Sequence, residues 1–341
     1  MADTTAVILV TGFLGSGKTT FMNHLLKAVP AHCKTLVLVN EFGEVGLDGA
    51  LVRGDGYDVL EVSKGSIFCI CVKRDFIKAL HQVASDIRPD LLLMEATGVA
   101  NPADLKADLQ LPLFHNRFRL VEQICVVDVS SFDQEYKVFA SVEKQIATSS
   151  IFLLNKVDKV SRRSIDVVKE IIRGHHASPL FIETSHCQMS VDDLLHRCGL
   201  PTAARAAEPA PTLKPLSPEE LDRIVSALGN NPFRAVTPPD WLMSAAYQWS
   251  GGGDELRKLV RELPKGVVRG KGLLDLGDGL RMLNIVMDEA TFEPVAIDAP
   301  PELRNRIVLI FPPELEDELA ALVGRWSPRL APLAPAAGGC G

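Results

Sequence analysis

Residues Gly12-Phe13-Leu14-Gly15-Ser16-Gly17-Lys18-Thr19 match the pattern G-x-x-x-x-G-K-[ST]. This pattern cradles phosphate when it lies between a strand and a helix. Gly12, Gly15 and Gly17 let the backbone wrap an anion, and the loop amides, from Ser16 on to Thr20 in the first helical turn, give positive potential at the helix start. Lys18 is expected to reach the β- and γ-phosphates, and the Thr19 hydroxyl to hold Mg²⁺. Further along, Asn155-Lys156-Val157-Asp158 follows an apolar run, "SIFLL". A carboxylate there, Asp158, can accept from the N1–H and 2-amino groups of guanine, a donor pair that adenine lacks, so the nucleotide is read as GTP rather than ATP. Thr184 and Ser185, at the end of the next apolar run, are placed to close over the base. Glu95-Ala96-Thr97-Gly98 ends another apolar run, "LLLM". Glu95 suits contact with Mg²⁺, direct or through water, and the Gly98 N–H suits the γ-phosphate. Asn101 is expected to cap the helix that follows.

A second chemistry-bearing stretch is "GSIFCICVK" (65–73), where Cys69 and Cys71 precede Lys73 and Arg74. The apolar face Phe76, Ile77, Leu80, Val83, Ala84 and Ile87 predicts a helix over 74–87. Thiols just before a helix start and beside basic groups have lowered pKa values and favour thiolate, a ligand for Zn²⁺, Co²⁺ or Cu⁺. In extended backbone an i, i+2 pair projects to one side. Two thiolates do not complete a tetrahedral site. Further ligands would come from Glu44, from a second copy of the chain in a nucleotide-dependent homodimer, from a client protein or from water. Packing against the sheet and redox chemistry are the other two readings of the pair, the last disfavoured by the strain of a C-x-C disulfide. His186, Cys187, His196 and Cys198 have ligand-like spacing, but "SVDDLLHRC" (190–198) reads as a helix and Cys187 and Cys198 as packing residues. Trp249 and "SGGGDE" read as core and helix cap, and Arg269 and Lys271 as one face of a strand.

These residues need a frame. The chain has 341 residues, 47% hydrophobic and 23% charged, with net charge −7, enough for two domains and no basic face for nucleic acid. No apolar run reaches the roughly 18 residues of a membrane span. The N-terminus lacks a basic leader region, and seven scattered cysteines suit a reducing compartment, so the expected location is cytoplasmic. Six near-continuous apolar runs (6–12, 34–40, 90–98, 123–129, 150–158, 179–185) alternate with helical patterns (18–29, 74–87, 137–147, 162–173). They predict a doubly wound α/β domain with a mostly parallel sheet over 1–200. An Ala/Pro-rich linker is expected at 201–217, a smaller α+β domain at 218–326, and a disordered tail at 327–341. In the second domain, helical patterns run to about 263 and strands follow from 266 to 311.

The motifs "TGFLGSGKTT", "VNEFGEVGLDG", "EATGVANP", "VVDVSSF" and "NKVD", in this order over about residues 6–200, resemble the CobW/HypB/UreG GTPases, and among them the CobW-like branch. The resemblance implies a slow GTPase that delivers a metal to a client, or that activates a metal- or corrinoid-dependent enzyme without binding free metal itself. It makes residues 40–49 a switch ordered by GTP, with Glu41 and Asp48 as groups that position Mg²⁺ or water. It also implies a C-x-C-C metal motif near Cys69. Aligned on Glu61 and Gly65, however, two of those cysteines become Ser66 and Phe68, only Cys69 matches, and Cys71 is additional.

Overall fold

Strands whose residues are apolar on both sides must be covered on both faces, and the chain meets this with alternating strands and helices. The computed structural model describes residues 4–39, 57–61, 70–96, 98, 101–200, 218–229, 240, 242–277, 279–287, 289–295 and 301–333. In chain order, β1 (Thr5–Thr11) leads into α1 (Lys18–Ala28), and β2 (Thr35–Val39) and β3 (Tyr57–Glu61) precede α2 (Ile70–Gln82). Then come β4 (Leu91–Glu95), α3 (Pro102–Leu109), β5 (Phe118–Asp128), α4 (Phe132–Val138) and α5 (Ala140–Thr148). The unit continues with β6 (Ile151–Asn155), α6 (Arg162–His175), β7 (Leu180–Glu183), α7 (Asp192–Cys198) and α8 (Pro218–Gly229).

Seven strands form one sheet in the order β3-β2-β4-β1-β5-β6-β7, and every neighbouring pair is parallel. Alternate residues of each strand feed opposite cores. Ile8, Val10, Leu91 and Leu93 pack with Phe21, Met22 and Leu25 of α1. Val7, Leu9, Leu92 and Met94 pack with Phe76, Ile77 and Leu80 of α2 and Leu105 of α3. The order reverses at β1, so the carboxyl ends of β1, β4, β5 and β6 open onto one crevice, the usual ligand position of such sheets.

The second unit begins at β8 (Met243–Trp249) and α9 (Gly253–Glu262). It continues through β9 (Arg269–Asp275), β10 (Leu280–Val286), β11 (Glu289–Pro294), β12 (Arg306–Phe311), α10 (Glu316–Trp326) and β13 (Leu330–Pro332). Its six strands run in the order β11-β10-β9-β12-β8-β13, all antiparallel. Leu256 and Leu259 of α9 and Leu319 and Leu322 of α10 pack with one face of this sheet, together with Trp249, Leu274, Leu283 and Leu309. No described helix is long and apolar enough to cross a membrane.

The structure differs from the sequence reading in particular places. Stretch 137–147 is not one helix: Phe139 is extended (φ −113°, ψ 118°) and divides α4 from α5. "MSAAYQW", read within a helical region, is β8, because it pairs with β12 and buries Trp249. The expected disordered tail contains β13, whose Leu330 is buried and pairs with Trp249. The helix α8, expected to open the second domain, clusters with the first unit, where Leu221 joins the α2 core and Asp222 pairs with Lys78. The expected linker 201–217 lies outside the described residues.

Candidate functional site

Between β1 and α1 the backbone takes conformations that only glycine adopts readily. Gly12 has φ +136°, and a Cβ there would stand 2.1 Å from the Val126 carbonyl. Gly17 has φ +113°, and a Cβ would stand 2.6 Å from Asn155 Nδ2. Gly15 also has positive φ, at 80°. The loop therefore wraps tightly enough that its amides converge ahead of α1. Lys18 is buried and its Nζ donates to the Phe13 carbonyl at 3.1 Å, which folds the side chain back over the loop. The Ser16 hydroxyl is buried with no protein partner, and Thr20 lies exposed in the first turn of α1.

Thr19 Oγ1 donates to Glu95 at 3.1 Å (Oε1) and 3.2 Å (Oε2). Glu95 is the buried last residue of β4. A hydroxyl and a carboxylate brought together beside a phosphate loop are the oxygen donors that a hard divalent cation takes. Gly98 abuts the loop: a Cβ would lie 2.6 Å from the Leu14 amide nitrogen, so no side chain fits. Its carbonyl accepts from Gln145 Nε2 of α5 at 2.9 Å.

At the end of β6, the side chain of Asn155 works within the protein. Its Nδ2 donates to the Ser16 carbonyl at 2.8 Å, and its Oδ1 accepts from the Cys187 N–H at 3.0 Å. Two successive left-handed residues, His186 (φ 53°) and Cys187 (φ 57°), turn the chain so that this N–H faces Asn155. Lys156, also left-handed, pairs with the buried Asp128 at the end of β5. The 3₁₀ turn after it exposes Asp158, which accepts from Ser185 Oγ at 2.6 Å. That bond, more than any other influence, holds the Asp158 carboxyl below its ordinary pKa, leaving an ionised acceptor at the rim. Ser185 supports the acid, while Thr184 turns inward, its hydroxyl donating to the Gln188 carbonyl at 2.8 Å.

The structure adds a group that no motif signals. Glu135 of α4 is 1% exposed behind the loop, in a small pocket with Phe13, Cys125 and Gln145. Burial first, and then the nearby Asp128 charge, push its carboxyl up to about 8, against the Ser131 hydroxyl bond and the Lys156 and Lys18 charges.

The cysteine expectations divide. Cys187 and Cys198 are buried in the core, in keeping with the packing reading, and burial raises their thiols to about 12 and about 11, favouring the neutral form. No group of three or more His, Cys, Asp or Glu residues able to hold a metal ion occurs among the described residues. Cys71 lies in the first turn of α2, which starts at Ile70 rather than 74, so the extended i, i+2 geometry does not hold there. Cys69, Glu41, Glu44 and Asp48 lie outside the described residues. Asn101 caps α3 as expected, accepting from the Ala103 N–H at 3.2 Å.

A tight anion loop at the reversal point of a parallel sheet, with a hydroxyl–carboxylate pair and a rim acid, defines a nucleotide-binding domain. The chain belongs to the family of the CobW/HypB/UreG nucleotide-binding domain, which matches residues 6–182. It is similar to the zinc chaperone YeiR of Escherichia coli (strain K12), 29% identical over 88% of this chain and 92% of that protein. It also resembles the zinc chaperone CobW of Sinorhizobium sp, 26% identical over 55% of this chain and 61% of that one. Among solved structures, Zn(II)-bound YjiA GTPase from E. coli is 20% identical over 94% of this chain and 98% of that one, with a TM-score of 0.41.

Proposed function

We propose that this chain binds and hydrolyses GTP and uses the nucleotide state to deliver a metal ion, zinc or cobalt, to a client enzyme. The observation that carries the nucleotide part is the convergence of Lys18, Thr19, Glu95, Gly98 and Asp158 on one edge of the parallel sheet. Lys18 swings from the Phe13 carbonyl to the β/γ-phosphates, exchanging one acceptor for a charged one. Thr19 holds Mg²⁺ with Glu95 beside it, and the ion, when bound, supplies charge neutralisation on the phosphates. Asp158 accepts from the guanine edge, and Gly98 leaves space and an N–H for the third phosphate. Turnover is slow, the chain's own residues supplying positioning and charge rather than an activated base.

The cargo rests on the two similar zinc chaperones and on the thiols Cys69 and Cys71. The start of α2 at Ile70, which takes Cys71 out of an extended pair, favours a second reading. In it the chain is a GTP-driven activator of a metal- or corrinoid-dependent enzyme and holds no free metal. One titration separates the two. Zn²⁺ and Co²⁺ are added to the GTP- and GDP-loaded chain and to Cys69→Ser and Cys71→Ser variants, with phosphate release followed in parallel. Tight binding that needs both thiols and changes with nucleotide supports delivery. Indifference to both metals, with GTP hydrolysis intact, supports the activator.

A further inference from the structure

Helix α5 links the phosphate loop to a distant part of the chain. Three contacts mark it. Phe139, the extended residue before it, stacks on Phe13 of the phosphate loop with ring centroids 4.6 Å apart. Gln145, buried at mid-helix, donates to the Gly98 carbonyl at 2.9 Å. At its N-terminus Asp240 accepts from the Ala140 N–H at 2.8 Å and the Ser141 N–H at 3.0 Å. Phe139 gives this helix no side-chain cap, so Asp240, far along the chain, supplies one. Asp240 ends the 67–240 segment of the first unit, and the chain from β8 onward belongs to the second.

We propose that Gln145 is a positioning residue for the third phosphate and that α5 passes its state to Asp240, at the point where the chain leaves for the second unit. The inference rests on the reading of the loop as a GTP site. Gly98 lies against Leu14 on one side and its carbonyl is held by Gln145 on the other, so a shift of the Gly98 backbone toward a third phosphate loads the Gln145 hydrogen bond. A helix transmits such a displacement as a rod. Gln145 and Ala140 are only about 8 Å apart along its axis at 1.5 Å per residue. The receiving end is held by two hydrogen bonds from one carboxylate, which a small shift or rotation of the helix would lengthen together. By linkage, if GTP weakens the Asp240 bonds, those bonds weaken GTP binding to the same degree, and their loss favours the GTP state.

The test compares the full chain loaded with GDP and with a non-hydrolysable GTP analogue, following amide exchange at Ala140 and Ser141. The expected result is different protection in the two states. In Gln145→Met, which fills the same space without the donor, that difference disappears. The affinity ratio of analogue to GDP then falls about five-fold, while GDP affinity stays within two-fold. Asp240→Ala raises the same ratio although it lies outside the nucleotide site, because the bonds that resist the helix shift are gone, and Asp240→Asn, with one acceptor left, falls between. Equal protection at Ala140 and Ser141 in the two loaded states overturns the relay, and this comparison needs no variant. An unchanged ratio in a folded Asp240→Ala does the same. Failure of the unaltered chain to bind either nucleotide would instead overturn the GTP reading itself, and the inference with it.

Discussion

The phosphate end and the base end of the site are built on opposite principles. At the phosphate end, Lys18 and Glu95 are buried, and glycines stand where any Cβ would collide with the protein. At the base end, Asp158 is exposed on a short turn and held by Ser185. Asn155 joins the two, spending both ends of its amide on backbone groups of the loop and of the 184–188 turn. The difference separates grip from choice. A buried, prearranged loop costs little reorganisation when phosphate arrives, so it sets affinity. An exposed acceptor costs the fold little to change, so it sets which base is taken.

Substitutions sharpen this contrast. Asn155→Ala has the largest expected effect, because it leaves the Ser16 carbonyl and the Cys187 N–H without their partner. A loss of about 4 kcal/mol of stability follows from two orphaned buried groups, together with weaker binding of every nucleotide. Urea denaturation read beside nucleotide titration measures both. Lys18→Ala is expected to weaken GTP and ATP alike by about a hundred-fold, the cost of a charged hydrogen bond to phosphate, with little change of base preference. Asp158→Asn is expected to do the converse. The preference for GTP over ATP falls roughly thirty-fold, while the urea midpoint stays in place. A stability loss in Asp158→Asn, or a changed base preference in Lys18→Ala, would break the division.

A pH series probes the phosphate end in graded steps, each smaller than the effect of Asn155→Ala. The Glu135 carboxyl is raised from 4.5 to about 8, so the folded chain binds a proton there that the unfolded chain has released. Its contribution to stability is complete below about pH 4.5 and is lost as pH rises toward 8, at no more than about 1.4 kcal/mol per pH unit. Glu135→Gln removes this slope, and urea midpoints at several pH values check it.

Much of this was legible in the sequence, for reasons that differ by residue. Strands such as "LLLME" and "AVILVT" announce themselves because a parallel sheet needs apolar residues on both faces. "YDVLE" does not: β3 is short and carries two acids. Nor does "MSAAYQW", since Met and Ala suit helices and pairing with β12 and β13 makes it a strand. The phosphate loop and Asn155–Asp158 are local motifs, so spacing reveals them. Glu135, Gln145 and Asp240 are not local. Gln145 meets Gly98 across 47 residues, and Asp240 caps α5 across 100, separations that no window of sequence connects. The thiol pair was visible as a pair, but its reading assumed extended backbone, and helix α2 begins before Cys71.

Competition between nucleotides for the unaltered chain tests the central claim most directly. A fluorescent GDP analogue is bound in the presence of Mg²⁺ and displaced with GTP or with ATP. Guanine reading by Asp158 predicts displacement by GTP at concentrations at least about thirty-fold below those needed for ATP. Equal displacement by the two, or none by either, would contradict it.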